Sequence, residues 1–111
     1  MDKLAVLWKT DNKTDIEEMV IPYILGSMKN GWWDTVDVII WGASQKIVSE
    51  DPEVRKHVEA MIRAGVNVHA CKKCSDDLCL TDPLKATGVD VRYTGVMLTE
   101  FLKGDTEVIT L

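Results

Sequence analysis

The chemistry of this chain is concentrated in three cysteines, Cys71, Cys74 and Cys79. Cys71 and Cys74 form a C-x-x-C pair that encloses Lys72 and Lys73. Cys71 directly follows the predicted third strand and precedes the helix that opens at Ser75. A helix N-terminus and positive charge beside a thiol both favour the thiolate, which is the reactive form. We therefore predict that Cys71 is the reactive residue and that Lys72 and Lys73 stabilise its anion. The alternative is a buried structural cysteine, the most common state of a free thiol.

Two other uses of the cysteines stay open at this point. Cys71 and Cys74 could form a dithiol redox couple, although the aromatic residue and proline usual around that motif are missing. His69 and the three cysteines could supply four soft ligands to a metal. However, Cys79 stands where a zinc knuckle needs histidine, and Leu84 stands where it needs cysteine. We expect no metal and no other cofactor.

His69 precedes Cys71 by two residues, so the two side chains lie on the same side of a strand. We expect His69 to face solvent or a loop and to support Cys71 as an acid or base. Cys79 is expected to be a small core residue in the first turns of a helix that opens at Ser75.

Residues at the ends of the predicted strands are the candidates for a ligand site, because open parallel sheets bind ligands there. We predict a pocket rim formed by Trp8, Thr10, Asn12, Trp41 and Gly42. The loop after the first strand contains no glycine, which excludes a P-loop and a glycine-rich dinucleotide turn.

Trp32 and Trp33 are adjacent in a predicted loop. Two neighbouring tryptophans cannot easily both point inward, and tryptophan is enriched at protein interfaces. We interpret the pair as a subunit interface; the alternative is a lid over the core.

The elements that position these residues alternate between strands and helices. Apolar runs predict strands, and capping residues, prolines and glycines predict the ends of helices. Strands are predicted at Leu4–Trp8, Val36–Trp41, Val66–Ala70, Val89–Tyr93 and Glu107–Leu111, and helices from Thr14 (interrupted or shifted at Pro22), Asp51, Ser75, Asp82 and Leu98. This alternation predicts a flavodoxin-like three-layer α/β/α sandwich with a five-stranded, mostly parallel sheet.

Length and charge narrow the class of protein. The chain has 111 residues, the size of one domain, so we assign 1–111 to a single domain. Its net charge of −5 disfavours nucleic acid and anionic membranes as partners. No apolar run is long enough to span a membrane or act as a signal peptide, and the odd cysteine count suits a reducing compartment. We expect a cytoplasmic protein.

The order and spacing of these segments resemble the DsrE/DsrF-like family, which includes the sulfur-relay subunits of the DsrEFH and TusBCD complexes. The matching segments are a first strand from Lys3 to Trp8, the stretch Trp41-Gly42-Ala43-Ser44, the run Val66 to Cys71, and the ending Gly88 to Tyr93 with Leu98 to Gly104. The resemblance covers nearly the whole chain.

The resemblance implies a flavodoxin-like fold, a cytoplasmic location and homo-oligomers, often trimers or hexamers. In sulfur-relay members a cysteine after the third strand carries sulfur as a persulfide, and Cys71 occupies that position. A protein sulfur donor and acceptor would be its partners, and Cys74 would resolve or take over the sulfur. The alternative function is a non-catalytic oligomeric binding module of the same fold.

Overall fold

The computed structural model describes residues 1–111 and contains five strands and seven α-helices. The strands are β1 (Lys3–Trp8), β2 (Thr35–Ile40), β3 (Asn67–Cys71), β4 (Asp90–Arg92) and β5 (Glu107–Thr110). The helices are α1 (Lys13–Asp15), α2 (Ile21–Lys29), α3 (Ala43–Glu50), α4 (Pro52–Arg63), α5 (Lys72–Asp77), α6 (Thr81–Ala86) and α7 (Thr94–Lys103). The predicted strands are confirmed to within a residue or two.

All strands are parallel and lie in one sheet in the order β4-β3-β2-β1-β5. The chain moves outward from β1 to β4 and then returns past β1 to place β5. The crossovers from β1 to β4 run in one direction along the sheet, and the crossover from β4 to β5 runs in the other. Because parallel crossovers are right-handed, opposite directions put the connecting helices on opposite faces. Helix α7 therefore covers the face that α1 to α6 leave open. The predicted flavodoxin-like three-layer α/β/α architecture is therefore confirmed.

The core fills the face covered by α1 to α6. Alternate strand residues point into it, and the cluster has 19 buried side chains, among them Val6, Trp8, Val38, Ile40 and Ala70. Because strand side chains alternate between faces, the neighbours of Ala70, which are His69 and Cys71, point to the opposite face, towards α7. No helix combines the length and the apolar content needed to cross a membrane.

The first helical region runs without a break over residues 13–29. The α-helical segments α1 and α2 are joined by the π-helical segment Ile16–Val20, in which the N–H of Ile21 bonds to the carbonyl of Ile16. Pro22 follows directly, and its missing N–H makes a wider local turn acceptable. The interruption predicted at Pro22 thus takes the form of a π-helical turn.

Helix α3 was not predicted. Its N-cap is Gly42 at φ +74°, which provides no side-chain cap, so the usual sequence signal is absent. The chain leaves α3 at Asp51, which also caps α4 by accepting from the N–H groups of Glu53 and Val54. The Asp51-Pro52 signal therefore marks a boundary between two helices.

Two predicted helix starts were three or four residues late. Helix α5 begins at Lys72, because Cys71 is already its extended N-cap residue, and the Ser75 hydroxyl donates to the Lys72 carbonyl. Helix α7 begins at Thr94 rather than Leu98. Both shifts matter because they direct helix N-termini towards Cys71.

Candidate functional site

Cys71 lies at the point where three elements meet: the end of β3, the start of α5 and the start of α7. The residue is only 4% exposed. Burial raises the pKa of its thiol, but the neighbouring donors outweigh that effect, namely the N–H groups of Cys74, Thr94 and Lys73 and the Thr94 hydroxyl. The pKa of Cys71 therefore lies below its ordinary value, as helix N-termini and oriented donors favour the thiolate.

The Thr94 side chain has one available partner at this point. Its Oγ1 is fully buried and has no hydrogen-bond partner in the structure. A buried hydroxyl without a partner is costly, and the Cys71 sulfur is the nearby group that can accept a hydrogen bond from it once the thiol ionises. Ionisation of the thiol therefore satisfies Thr94 as well.

A cavity of about 550 Å³ opens over the cysteine. This volume lies in the range usual for small-molecule sites. We call it the Cys71 cavity, and it is lined by Asp11, Trp41, Gly42, Ala43, Lys46, Cys71, Lys73, Cys74, Asp77 and Leu78. The thiol is thus removed from bulk solvent yet faces a space that a ligand can enter.

A single carboxamide ties the strand ends below this cavity. Gln45 is fully buried in α3, and its Nε2 donates to the carbonyls of Ile40 at 3.1 Å and of Cys71 at 3.0 Å. These carbonyls end β2 and β3, so Gln45 fixes the spacing of the two strand ends.

The predicted lysines are both engaged in ion pairs along α5. Lys72 pairs with Asp76 at 2.5 Å and lies over the ring of Tyr93, outside the cavity. Lys73 pairs with Asp77 at 2.8 Å and lines the cavity. Because each charge is offset by a carboxylate one turn later, backbone donors contribute more to holding the Cys71 thiolate than the lysines do.

The three cysteines are all free and differ in exposure. Cys74 is half-buried in the cavity wall. Cys79 is exposed in the turn after α5 at φ +59°, so its predicted place as a core residue in early helical turns is wrong. The cause is the earlier start of α5, which ends before Cys79. No group of three histidine, cysteine or acidic side chains has an arrangement that could hold a metal ion.

His69 is buried, and the expectation that it faces solvent is wrong. Its Nδ1 lies 2.8 Å from an Asp90 oxygen and its Nε2 lies 3.0 Å from an Asp37 oxygen. Burial lowers the pKa of His69, but the two carboxylates outweigh it and the pKa is raised overall. Asp90 also pairs with Arg92. Burial raises the pKa of the Asp90 carboxyl, but His69 and Arg92 outweigh it and lower that pKa overall. Since both ring nitrogens are occupied, His69 has no nitrogen left for Cys71.

Two of the five predicted rim residues line the Cys71 cavity, and three do not. Trp41 and Gly42 are in the lining. Trp8 points into the core, where it is fully buried and donates from Nε1 to the Thr10 carbonyl at 2.9 Å. Asn12 caps α1 by accepting from the Asp15 N–H. Trp8, Thr10 and Asn12 are therefore not part of the cavity lining.

Sequence reasoning missed four residues at this site. Gln45 and Lys46 belong to the unpredicted helix α3, and Thr94 belongs to the unpredicted first turn of α7. Asp11 lies one residue away from two predicted rim positions. A signal existed for Thr94, because a hydroxyl residue directly after a predicted strand often marks a helix start, although the N-cap residue of α7 is Tyr93.

Trp32 and Trp33 lie before β2, at the opposite end of the sheet. Trp32 is 54% exposed and stacks at a tilt on Tyr23, with ring centres 5.9 Å apart. Trp33 is half-buried against the core and donates from Nε1 to the Tyr23 hydroxyl at 3.1 Å. The two rings thus point in different directions, as expected, and their role as a subunit interface stays a prediction.

No protein-family model matches the sequence, and no curated protein matches it. Solved structures do match. The conserved protein of unknown function MTH1491 from Methanobacterium thermoautotrophicum has a TM-score of 0.82 at 17% identity, with full coverage of both chains. The ychN protein from E. coli has a TM-score of 0.72 at 15% identity, again with full coverage. At these identities the likeness shows the fold alone.

A third structure is much more similar. The conserved protein of unknown function BT1422 from Bacteroides thetaiotaomicron is 36% identical, with a TM-score of 0.96 and coverage of 99% of this chain and 95% of that one. Identity at that level over essentially the full length shows common descent, and the chain therefore belongs to the same family as BT1422.

Proposed function

We propose that this protein is a sulfur carrier or sulfurtransferase of the DsrE/DsrF-like type that forms a persulfide on Cys71. One observation carries the proposal: the Cys71 sulfur lies on a cavity floor and meets donors from the first turns of two helices. Such donors raise the fraction of thiol that is ionised, and the cavity gives a reaction partner access to it.

The chemistry follows from the thiolate. Cys71 S⁻ attacks the outer sulfur of a donor persulfide R–S–SH, the donor S–S bond breaks, and R–S⁻ leaves while Cys71–S–SH forms. An acceptor thiolate R′–S⁻ then attacks the outer sulfur, R′–S–SH forms, and Cys71 leaves as the thiolate. One neutral sulfur atom moves in each step, so no external oxidant or reductant is needed.

The donors around Cys71 favour the second step in particular. A stabilised thiolate is a weaker nucleophile but a better leaving group. The N–H groups of Lys73, Cys74 and Thr94 bind the charge that appears on Cys71 when the acceptor removes the outer sulfur. Cys74 lies in the same cavity wall, which supports a role for it in receiving or resolving the sulfur.

The proposal includes a cytoplasmic location, a homo-oligomer such as a trimer or hexamer with Trp32 and Trp33 at an interface, and protein donors or acceptors of sulfur. Neither nucleic acid nor membrane is part of it. The net charge of −5 supports the exclusion of polyanionic partners.

Mass spectrometry after incubation with a persulfide donor tests the carrier function. We expect an added mass of about 32 Da, one sulfur atom, on the wild-type protein. The adduct should vanish in Cys71→Ser and persist in Cys79→Ser, which is the matched control because Cys79 is exposed and outside the cavity. An adduct that follows Cys79, or no adduct at all, would contradict the assignment and favour a non-catalytic binding module.

A further inference from the structure

The Cys71 cavity is lined by four charged side chains, of which two form an ion pair and two do not. Lys73 and Asp77 pair with each other at 2.8 Å. Lys46 and Asp11 line the same cavity but form no ion pair, either with each other or with another side chain. The cavity therefore presents one free cation and one free anion.

These two free charges share the cavity lining with an apolar surface. Trp41 and Leu78 supply large apolar surface to the lining, and Cys71 supplies the sulfur. A cavity with few charged groups on an apolar lining selects a ligand by the placement of its polar atoms. The complementary ligand carries one cationic group, one anionic group and a sulfur atom.

A second groove of about 600 Å³ extends from the same place. It shares Asp11, Ala43 and Lys46 with the Cys71 cavity, and its lining also includes Asp51, whose charge is already met by Lys13 at 3.0 Å. Asp11 and Lys46 thus border both spaces, and a ligand in either one is near them.

We propose that the small partner of Cys71 is an α-amino-acid thiol or its persulfide, of the cysteine class, with its ammonium group at Asp11 and its carboxylate at Lys46. This inference rests on the proposed function and names the substrate class of the same site. In the hand-off, the substrate thiolate attacks the outer sulfur of Cys71–S–SH. An amino-acid persulfide forms, the Cys71 sulfur leaves as the thiolate, and the sulfur atom transferred is neutral.

The first experiment measures sulfur transfer from persulfidated protein to four small thiols. The acceptors are cysteine, 3-mercaptopropionate, cysteamine and 2-mercaptoethanol, each normalised to its rate with a small persulfide in solution. We expect cysteine to be fastest. Because exposed ion pairs are weak, we expect Lys46→Gln to slow cysteine and 3-mercaptopropionate about two- to fivefold and to leave cysteamine unchanged.

The complementary variant should give the opposite pattern. Asp11→Asn is expected to slow cysteine and cysteamine by about the same factor and to leave 3-mercaptopropionate unchanged. Lys56→Gln, on α4 and outside both grooves, is the matched control and should change nothing. The proposal would be overturned by equal normalised rates for the four thiols. It would also be overturned if either variant slowed transfer to all four thiols equally, whatever the charge of the acceptor.

A second experiment does not depend on sulfur transfer. Serine has the charges of cysteine but no reactive sulfur, so it should protect Cys71 from iodoacetamide, whereas ethanolamine and lactate should protect less. Protection by serine that both Lys46→Gln and Asp11→Asn weaken supports the site even if no persulfide forms on Cys71. Absence of protection together with a Cys71 persulfide would overturn this inference and leave the proposed function standing.

Discussion

Two buried polar side chains on the same face of β3 are stabilised in opposite ways. His69 has both ring nitrogens bound, to Asp37 on one side and Asp90 on the other. Cys71, two residues later, is surrounded by donors but has no cation bonded to it and faces a cavity. The saturated polar group holds the sheet together, whereas the group with donors and free space is available for chemistry.

The largest expected effect is the loss of folding stability when His69 is replaced. His69→Ala leaves the partly buried Asp37 and Asp90 carboxylates without their shared donor, and an acceptor left without its donor costs about 1–3 kcal/mol of folding free energy. Chemical denaturation measures it. Asn67→Ala, which changes an exposed position on the same strand, is the control and should cost far less. Equal losses in the two variants would mean that the His69 cluster is not a stabilising unit.

Thr94→Val tests the other half of the comparison. The change keeps the shape and the backbone N–H but removes the hydroxyl beside Cys71, so the pKa of the thiol should rise, because a donor that favours the thiolate is lost. The pH dependence of the iodoacetamide rate measures this pKa. Stability should change little, because the hydroxyl has no other partner.

Thr99→Val provides the control on the same helix. Its hydroxyl bonds to the Gly95 carbonyl and is exposed, so the variant should leave the pKa of Cys71 unchanged. A Thr94→Val protein that loses stability but keeps the pKa of the Cys71 thiol would contradict this assignment. It would mean that Thr94 stabilises the fold and does not act on Cys71.

The dependence of stability on pH sharpens the assignment of His69. Its folded pKa is raised above the unfolded value of about 6.5. The protonated ring therefore stabilises the fold fully below about pH 6.5, and this contribution is lost as the pH rises through the folded pKa. The free-energy difference between wild type and His69→Ala should shrink above neutral pH. A constant difference from pH 6 to 9 would show that the ring acts without its charge.

The smallest effect is expected at the lysines that flank Cys71. Lys73→Gln should slow alkylation of Cys71 by no more than about threefold, because Asp77 already offsets that charge near the surface. Lys72→Gln should have less effect still, since its ammonium lies outside the cavity. A tenfold loss in either variant would transfer the main role in thiolate stabilisation from the backbone to the lysines.

The sequence predicts the sheet well because its signals are local. Apolar runs define the strands, and Asp51 followed by Pro52 marks a helix start through the physics of capping. Cys71 can be singled out for the same reason, since it follows a buried strand and precedes a helix. Helix α3 escapes because Gly42 caps it through backbone conformation, which leaves no side-chain signature.

The surroundings of Cys71 and His69 depend on strand order, which sequence patterns do not determine. Strand β3 lies between β4 and β2. Asp90 and Thr94 reach β3 from the side of β4, and Asp37 reaches it from the side of β2. One usable signal is that Asp37 interrupts an otherwise apolar strand. A carboxylate within a buried strand requires a partner, and His69 was the available candidate.

The carboxamide of Gln45 has a consequence for ligand entry. By binding the carbonyls of Ile40 and Cys71, it fixes the ends of β2 and β3, which are hydrogen-bonded neighbours in the sheet. An incoming molecule need not order these strand ends, so little conformational entropy is lost there on association. Selectivity for size should accordingly be a fixed property of the scaffold, whereas selectivity for charge resides in exposed side chains.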